Sequence, residues 1–269
     1  APLGEIYMAI KVVVRLCAMS IVALALPAVV WAETVGVFYD PDVAQIKFAA
    51  GEVKTALESK NFTVEMLPVA SLNESYANKK VVVALASNTA VSAVLAAQGG
   101  NRVAGLGEQA YGLRTTETPQ KSYWALGGDV NGAMYGGLQI AENIKFNQFA
   151  GSYNNEESPA ILKRGIKLNL PLDINSPTYD SARKVGDSAR KSIPDVWDMT
   201  FWTTWFDEMA RNRYNVVSVW NNHPFTSMIK MADYPDVAIQ NVTGYDGYSK
   251  VMSTDEKIDH WRKVMAYAH

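Results

Sequence analysis

The residues of this chain best suited to chemistry stand in one short run, Trp220-Asn221-Asn222-His223. An indole face can stack on a sugar ring, and Asn and His supply directional hydrogen bonds to hydroxyl groups. The same residues have a plainer use, with Trp220 packing a core and Asn221-Asn222 turning the chain, and the sequence leaves both open. The carboxylates Asp173, Asp195, Asp198, Asp207 and Glu208 are scattered, and none forms an evident acid–base pair. Asp207 and Glu208 are adjacent on a helix and point to different sides, as on a solvated surface. No catalytic residue is assigned. His223 has no second ligand at metal spacing, so no metal is expected. Gly127, Gly128, Gly132, Gly136 and Gly137 lack both nucleotide-loop patterns and read instead as small residues that let a helix sit close on a sheet. No cofactor is expected.

Elements must position those residues. Val216–Trp220 (VVSVW) reads as a strand, which places Trp220 at its C-terminal end. Ile166–Leu170 (IKLNL) reads as the strand before it, with Asn169 and Asp173 at or just past its end. Helices are expected over 202–213, where Trp202, Trp205, Phe206 and Met209 share a stripe, and over 254–269, where Ile258, Trp261, Val264 and Met265 do. Helix-to-strand turns are short, near 212–215. Strand-to-helix connections are long, over 171–201 and 221–253, and loops of that length are usually functional. This asymmetry fits a (β/α)8 barrel, whose site lies on the βα-loop face, and equally a doubly wound sheet.

The first part has a different texture. Residues 33–155 alternate short strands (35–39, 62–67, 81–86, 112–116, 123–126) with helices (44–59, a helix capped by Asn88, and one opened by the glycine turn at 127–128), as in a layered α/β domain. Gly151–Pro159 reads as a linker. Five of the seven Trp and all three His lie beyond residue 160.

Composition bounds the function. With 25 Lys plus Arg against 27 Asp plus Glu, the net charge is −2, which argues against a nucleic-acid partner bound through a basic face. From Met8, a basic stretch with Lys11 and Arg15 precedes an apolar run over 16–26, Pro27 and the small-residue site Val30-Trp31-Ala32. This reads as an export signal cleaved after Ala32, so residues 1–32 stand outside the fold and no membrane partner is expected afterwards. The single cysteine, Cys17, leaves with the signal, and no internal disulfide is possible. A periplasmic or extracellular location follows.

The motifs carry a resemblance. Tyr123–Ile144 (YWALGGDVNGAMYGGLQIAENI), Lys163–Asp173 (KRGIKLNLPLD) and the segment Phe201–Phe225 together resemble the non-catalytic α/β domain and first barrel units of family 20 β-hexosaminidases and family 67 α-glucuronidase-like glycoside hydrolases. The implied architecture is α/β: a small α/β sandwich domain over 33–155, then the first βα units of an incomplete TIM barrel over 160–269. A complete barrel takes about 250 residues, so the resemblance implies a truncated catalytic domain whose catalytic carboxylates lie beyond His269. It also implies that Arg164, in the Arg-Gly pair Arg164-Gly165, binds ring hydroxyls or a uronate carboxylate. Arg164 opens its strand, however, at the end away from a barrel's site, and Asn169 stands where family 20 has Asp. Substrate contacts are expected at Trp220, Asn221, Asn222, His223, Arg164, Asn169 and Asp173, with an oligosaccharide or polysaccharide as partner. The sequence does not fix the oligomeric state. Two non-enzymatic readings remain open: a secreted carbohydrate-binding protein, and a two-lobed sugar receptor.

Overall fold

A computed structural model describes residues 33–146, 151–176, 187–221 and 225–269. The export signal expected over 1–32 lies outside the described residues. Strands β1 (Thr34–Tyr39), β2 (Thr63–Pro68), β3 (Lys79–Leu85), β4 (Tyr111–Thr116), β5 (Ser122–Gly127) and β6 (Asn154–Glu157) form one sheet in the order β2-β1-β3-β5-β4-β6. The first four in that order run parallel, and β4 pairs antiparallel with both β5 and β6. Helices α1 (Ala44–Glu58) and α3 (Val130–Lys145) cover one face, and α2 (Thr89–Ala97) covers the other. Two covered faces explain why Val81, Val82 and Val83 are all fully buried: each side of the strand meets an apolar layer.

The glycines of α3 serve packing, as expected. A Cβ on Gly137 would come within 2.9 Å of the Ala49 methyl on α1, and one on Gly136 within 3.1 Å of Ala125 on β5. The segment expected as a linker is not wholly irregular, because it contains β6. Antiparallel β4 left an edge to be paired, and Arg114 of β4 binds the Asn155 carbonyl and the Glu156 carboxylate.

The second part begins with β7 (Gly165–Asn169), which pairs in parallel with β8 (Val216–Trp220). Between them lie α4 (Asp187–Val196) and α5 (Met199–Arg211). After β8 come a single turn, α6 (Phe225–Met228), a two-residue hairpin of β9 (Val242–Thr243) and β10 (Ser249–Lys250), and α7 (Thr254–Ala268). The long connections therefore carry short elements of their own. Leu170, Leu172, Trp197, Trp202, Val242 and Trp261 form the centre of this core. The Trp202 indole stacks with Phe206 and meets Trp261 edge-on at 5.5 Å. The buried stripe of α7 differs from its apolar pattern. Trp261 and Val264 are inside, but so are Lys257 and His260, while Met265 is exposed. Hydropathy alone cannot anticipate a buried lysine, which needs its partner in place first.

A hydrogen-bond chain joins the two parts. Asp129 caps α3 by accepting from Gly132 N at 2.7 Å, and its other oxygen accepts from Gln109 N at 2.9 Å. The side-chain amide oxygen of the buried Gln109 in turn accepts from Arg164 and from Asn215, at the starts of β7 and β8. Asp129→Ala removes both acceptors, so unfolding in urea should show a loss of about 2 kcal/mol. Asp129→Asn, which keeps the cap, should lose about half of that; equal losses would show that the cap carries little of the effect.

Candidate functional site

The pairing of β7 with β8 decides which side chains meet. Gly165 stands opposite Val216, Lys167 opposite Ser218, and Asn169 opposite Trp220. In a parallel pair these partners share one face. The intervening partners, Ile166 with Val217 and Leu168 with Val219, share the other face, and Leu168 and Val219 pack against the tryptophan core. The Asn169–Trp220 face is thus turned away from the helices. Asn169 is exposed and Trp220 half-buried, both at the C-terminal ends of their strands. The Lys167 ammonium lies 5.5 Å from the centre of the Trp220 ring.

The other expected contacts have different surroundings. Asn221 is a brace: its amide nitrogen donates to the Leu170 and Ser176 carbonyls, and its oxygen accepts from the Ser176 hydroxyl at 3.1 Å. Asp173 is buried, and one carboxylate oxygen accepts from the backbone and side chain of Asn175. The other accepts from Thr243 N, which ties the connection after β7 to the one after β8. Arg164 sits at the opposite end of β7. Its guanidinium donates to the Arg213 and Ile161 carbonyls and to Gln109, and lies 5.3 Å from the Tyr135 ring centre. Asn222 and His223 lie outside the described residues. The structure therefore brings Asn169 and Trp220 together and gives Asn221 and Asp173 supporting contacts behind them. It also adds Lys167 and Ser218, which the sequence reading passed over. Their signal was a period of two, counted back from Asn169 and Trp220.

Two buried basic side chains lie on the inner face of α7. Lys257 donates to the Ile239 carbonyl at 2.9 Å and lies over Trp197. Burial lowers its pKa, and the charge of Asp173 opposes that. His260 bonds through Nε2 to the Val196 carbonyl at 2.9 Å, which requires the proton on Nε2. Burial pushes the His260 pKa below its ordinary 6.5, aided by Lys250 and Lys263 and opposed by the Val196 bond and Asp198. No group of three or more His, Cys, Asp or Glu side chains among the described residues could hold a metal ion.

At the start of β8, the far end from Trp220, a cleft of about 560 Å³ lies against α1 and α3, lined by Phe48, Tyr135, Phe206, Tyr214 and Tyr267 among others.

No protein-family model matches the chain. No curated protein matches it either. Among solved structures, it is similar to a GH138 enzyme targeting pectin rhamnogalacturonan II, with a TM-score of 0.58 and 18% identity over 88% of this chain. This is a glycoside-hydrolase-like fold. The chain spans only 29% of the length of that GH138 enzyme. CpGH84D aligns over 87% of this chain and 38% of its own, at 10% identity and a TM-score of 0.43. The α/β class expected from the sequence, an α/β domain followed by partial barrel-like units, is the class observed. The likeness is to glycoside hydrolases broadly and does not single out families 20 or 67.

Two outcomes follow from the buried groups. Asp173→Ala should cost about 3 kcal/mol in urea unfolding, because it strands the Thr243 N–H and leaves Lys257 without its nearby counter-charge; a loss near zero would show that the brace is dispensable. For His260, the folded state disfavours the proton. Its contribution to stability is therefore complete above pH 6.5 and is lost as pH falls through the lowered folded value. Unfolding free energies measured from pH 7.5 to 5 should fall less steeply in His260→Phe than in the parent; parallel slopes would remove His260 as a cause.

Proposed function

We propose that this chain is the N-terminal part of an exported glycoside hydrolase acting on glycans, of an α-glucuronidase-like or β-hexosaminidase-like kind. On this reading, residues 1–32 hold the export signal, 33–155 a non-catalytic α/β domain and 160–269 the opening units of a (β/α)8 barrel. The protein is periplasmic or extracellular, and its partner is an oligosaccharide or polysaccharide. The observation that carries the reading is the β7–β8 pair. It is a parallel pair in a glycoside-hydrolase-like fold, and it presents Trp220 and Asn169 side by side at the strand ends where barrel enzymes build their sites. The similar GH138 enzyme targets a pectin, which supports a glycan as the substrate class.

Two strands do not close a barrel, and the outer edges of β7 and β8 carry no further strand among the described residues. The catalytic acid and its partner are accordingly assigned to strands that would follow β8. Trp220, Asn169, Asn222 and His223 are the proposed substrate contacts. Asn221 and Asp173 hold the strand ends in place. Arg164 would need to leave its three acceptors to reach substrate.

One observation favours a second reading, a secreted carbohydrate-binding protein without catalysis. Asp173, the carboxylate nearest the strand ends in sequence, is spent on internal hydrogen bonds. Activity separates the two. The reading frame continued past His269 should encode further strand–helix units with Glu or Asp at strand ends, and that longer protein should cleave aryl glycosides or glycans. Residues 33–269 alone should bind glycan without turnover. Binding without turnover by the longer protein would favour the second reading, and turnover by residues 33–269 would contradict the placement of the carboxylates. In either case Trp220→Ala should weaken glycan binding by about tenfold, the loss expected for one aromatic face.

A further inference from the structure

We propose that the segment 73–78, between β2 and β3, is a pH-operated lid, closed by Tyr76 over the neutral amine of Lys80 and opened when that amine takes a proton. The device belongs to the first domain and does not depend on the glycan reading.

The sheet register places the lysine. Gly36 of β1, Lys80 of β3 and Ser122 of β5 stand side by side, with Glu65 of β2 next to Gly36. Partners in parallel strands share one face. This is the face that α2 covers, because Phe38, Val82 and Trp124, two residues further along the same strands, belong to that layer. Lys80 is fully buried there, and its Nζ has no hydrogen-bond partner among the described residues.

The surrounding elements bring no charge to balance an ammonium. Beside it, β1 presents Gly36 and Phe38, and the Ser122 hydroxyl of β5 donates to the Gln120 carbonyl. Helix α2 contains no ionisable residue. Lys79 turns to the opposite face and pairs with Glu33, and Lys121 pairs with Glu117. Glu74, on the lid, is exposed, and the Glu65 carboxylate accepts from the Tyr76 hydroxyl at 3.1 Å. An unpaired ammonium costs far more to bury than a neutral amine, and burial accordingly lowers the Lys80 pKa from its ordinary 10.5. The Tyr76 ring centre, 5.9 Å from Nζ, offsets only a small part of that cost.

Tyr76 closes the site. Its ring lies against Gly36, where a Cβ would come within 2.7 Å of Cζ, and it meets Phe38 edge-on at 5.0 Å. Glycine at position 36 is therefore the seat of the ring. Val69 and Leu72 pack on the α2 layer and fix the start of the connection. From 73 to 78 every residue except Tyr76 is exposed, and the side chain of Asn73 bonds within the connection, to Ser71 and Ser75. A segment held to the sheet by one side chain opens at much lower cost than the core.

The sign follows from linkage. The closed state disfavours the proton, and opening gives the amine water and its ordinary proton affinity. The ratio of open to closed lid should rise up to tenfold for each pH unit below 10.5, until the closed state takes the proton as well.

NMR of the full chain, with ¹³C at lysine Cε and in the tyrosine rings, tests this between pH 9.5 and 5. Burial and Glu65 push the Tyr76 pKa up, so its phenol stays neutral over that range. The Lys80 signal should titrate below those of the exposed lysines, and the Tyr76 ring signals should move in the same step. Lys80→Met, of similar length and without charge, should keep Tyr76 closed throughout. Glu65→Gln keeps the acceptor but removes the titrating carboxyl, and should leave the step in place. Gly36→Ala, which crowds the seat, should hold the lid open at every pH. Lys80 titrating with the exposed lysines, no Lys80 step in the range, or Tyr76 unmoved while Lys80 titrates overturns the lid. A step that survives Lys80→Met, or one that the Trp202 indole of the other core shares as in global unfolding, overturns it too. The parent titration decides against the lid whenever the Lys80 and Tyr76 steps do not coincide, whatever the variants do.

Discussion

The register of β7 against β8 is the constraint on which the rest of the second part depends. Side chains alternate along a strand, so a slip of one residue would put Trp220 and Asn169 on opposite faces of the pair and bring Leu168 or Val219 out of the core. The register is fixed at the strand starts by Arg164. Its carbonyl accepts from Asn215 N and Val216 N, and its N–H donates to the Asn215 side chain at 2.9 Å. Its guanidinium binds the Arg213 carbonyl at 2.7 Å and Gln109 at 2.9 Å. At the other end, Asn221 joins Leu170 to Ser176, and Asp173 joins the following connections to each other. Both ends of the strand pair are thus pinned by polar groups whose alternatives would be unsatisfied.

The first domain then reads as a mount. Gln109, with a positive φ of 60°, reaches from the cap of α3 to both strand starts. Further out, Arg211 of α5 binds Glu52 of α1 at 2.9 Å, and Arg213 binds Glu142 of α3. Burial alone would raise the Glu52 pKa, but the hydrogen bonds from Arg211 and Lys145 bring it below the ordinary carboxylate value. These outer pairs are partly solvated and each is worth little by itself. The inner Gln109–Arg164–Asn215 cluster carries the orientation, and it links the α/β domain to the strand pair rather than to any substrate.

Much of this was legible in the sequence. The strands of the first domain, the Asn88 cap and the packing role of the α3 glycines followed from period and composition, because local propensity and tertiary packing agree there. Strand β8 and the place of Trp220 at its end were legible for the same reason. Three features were not. Strand β6 is a polar four-residue edge, which pairing with β4 makes a strand and composition makes a loop. Lys257 and His260 lie on the inner face of α7 because the Ile239 and Val196 carbonyls wait for them, a fact set by residues far away in the chain. Arg164 matched a sugar-binding pattern by its neighbour Gly165, yet its surroundings are decided by Gln109, 55 residues earlier. Lys167 was visible as a charge in an apolar strand, but only the register shows that it meets Trp220.

The central claim is that the working surface is the C-terminal end of the β7–β8 pair and not the aromatic cleft at its start. A ¹H–¹⁵N spectrum of residues 33–269, with side-chain signals assigned through Trp220→Phe and Asn169→Asp, locates it directly. Added oligosaccharide should shift the Trp220 indole and the Asn169 amide and leave the backbone signals of Phe48, Tyr135 and Tyr214 in place. Shifts confined to that cleft, with Trp220 and Asn169 unmoved, would contradict the account.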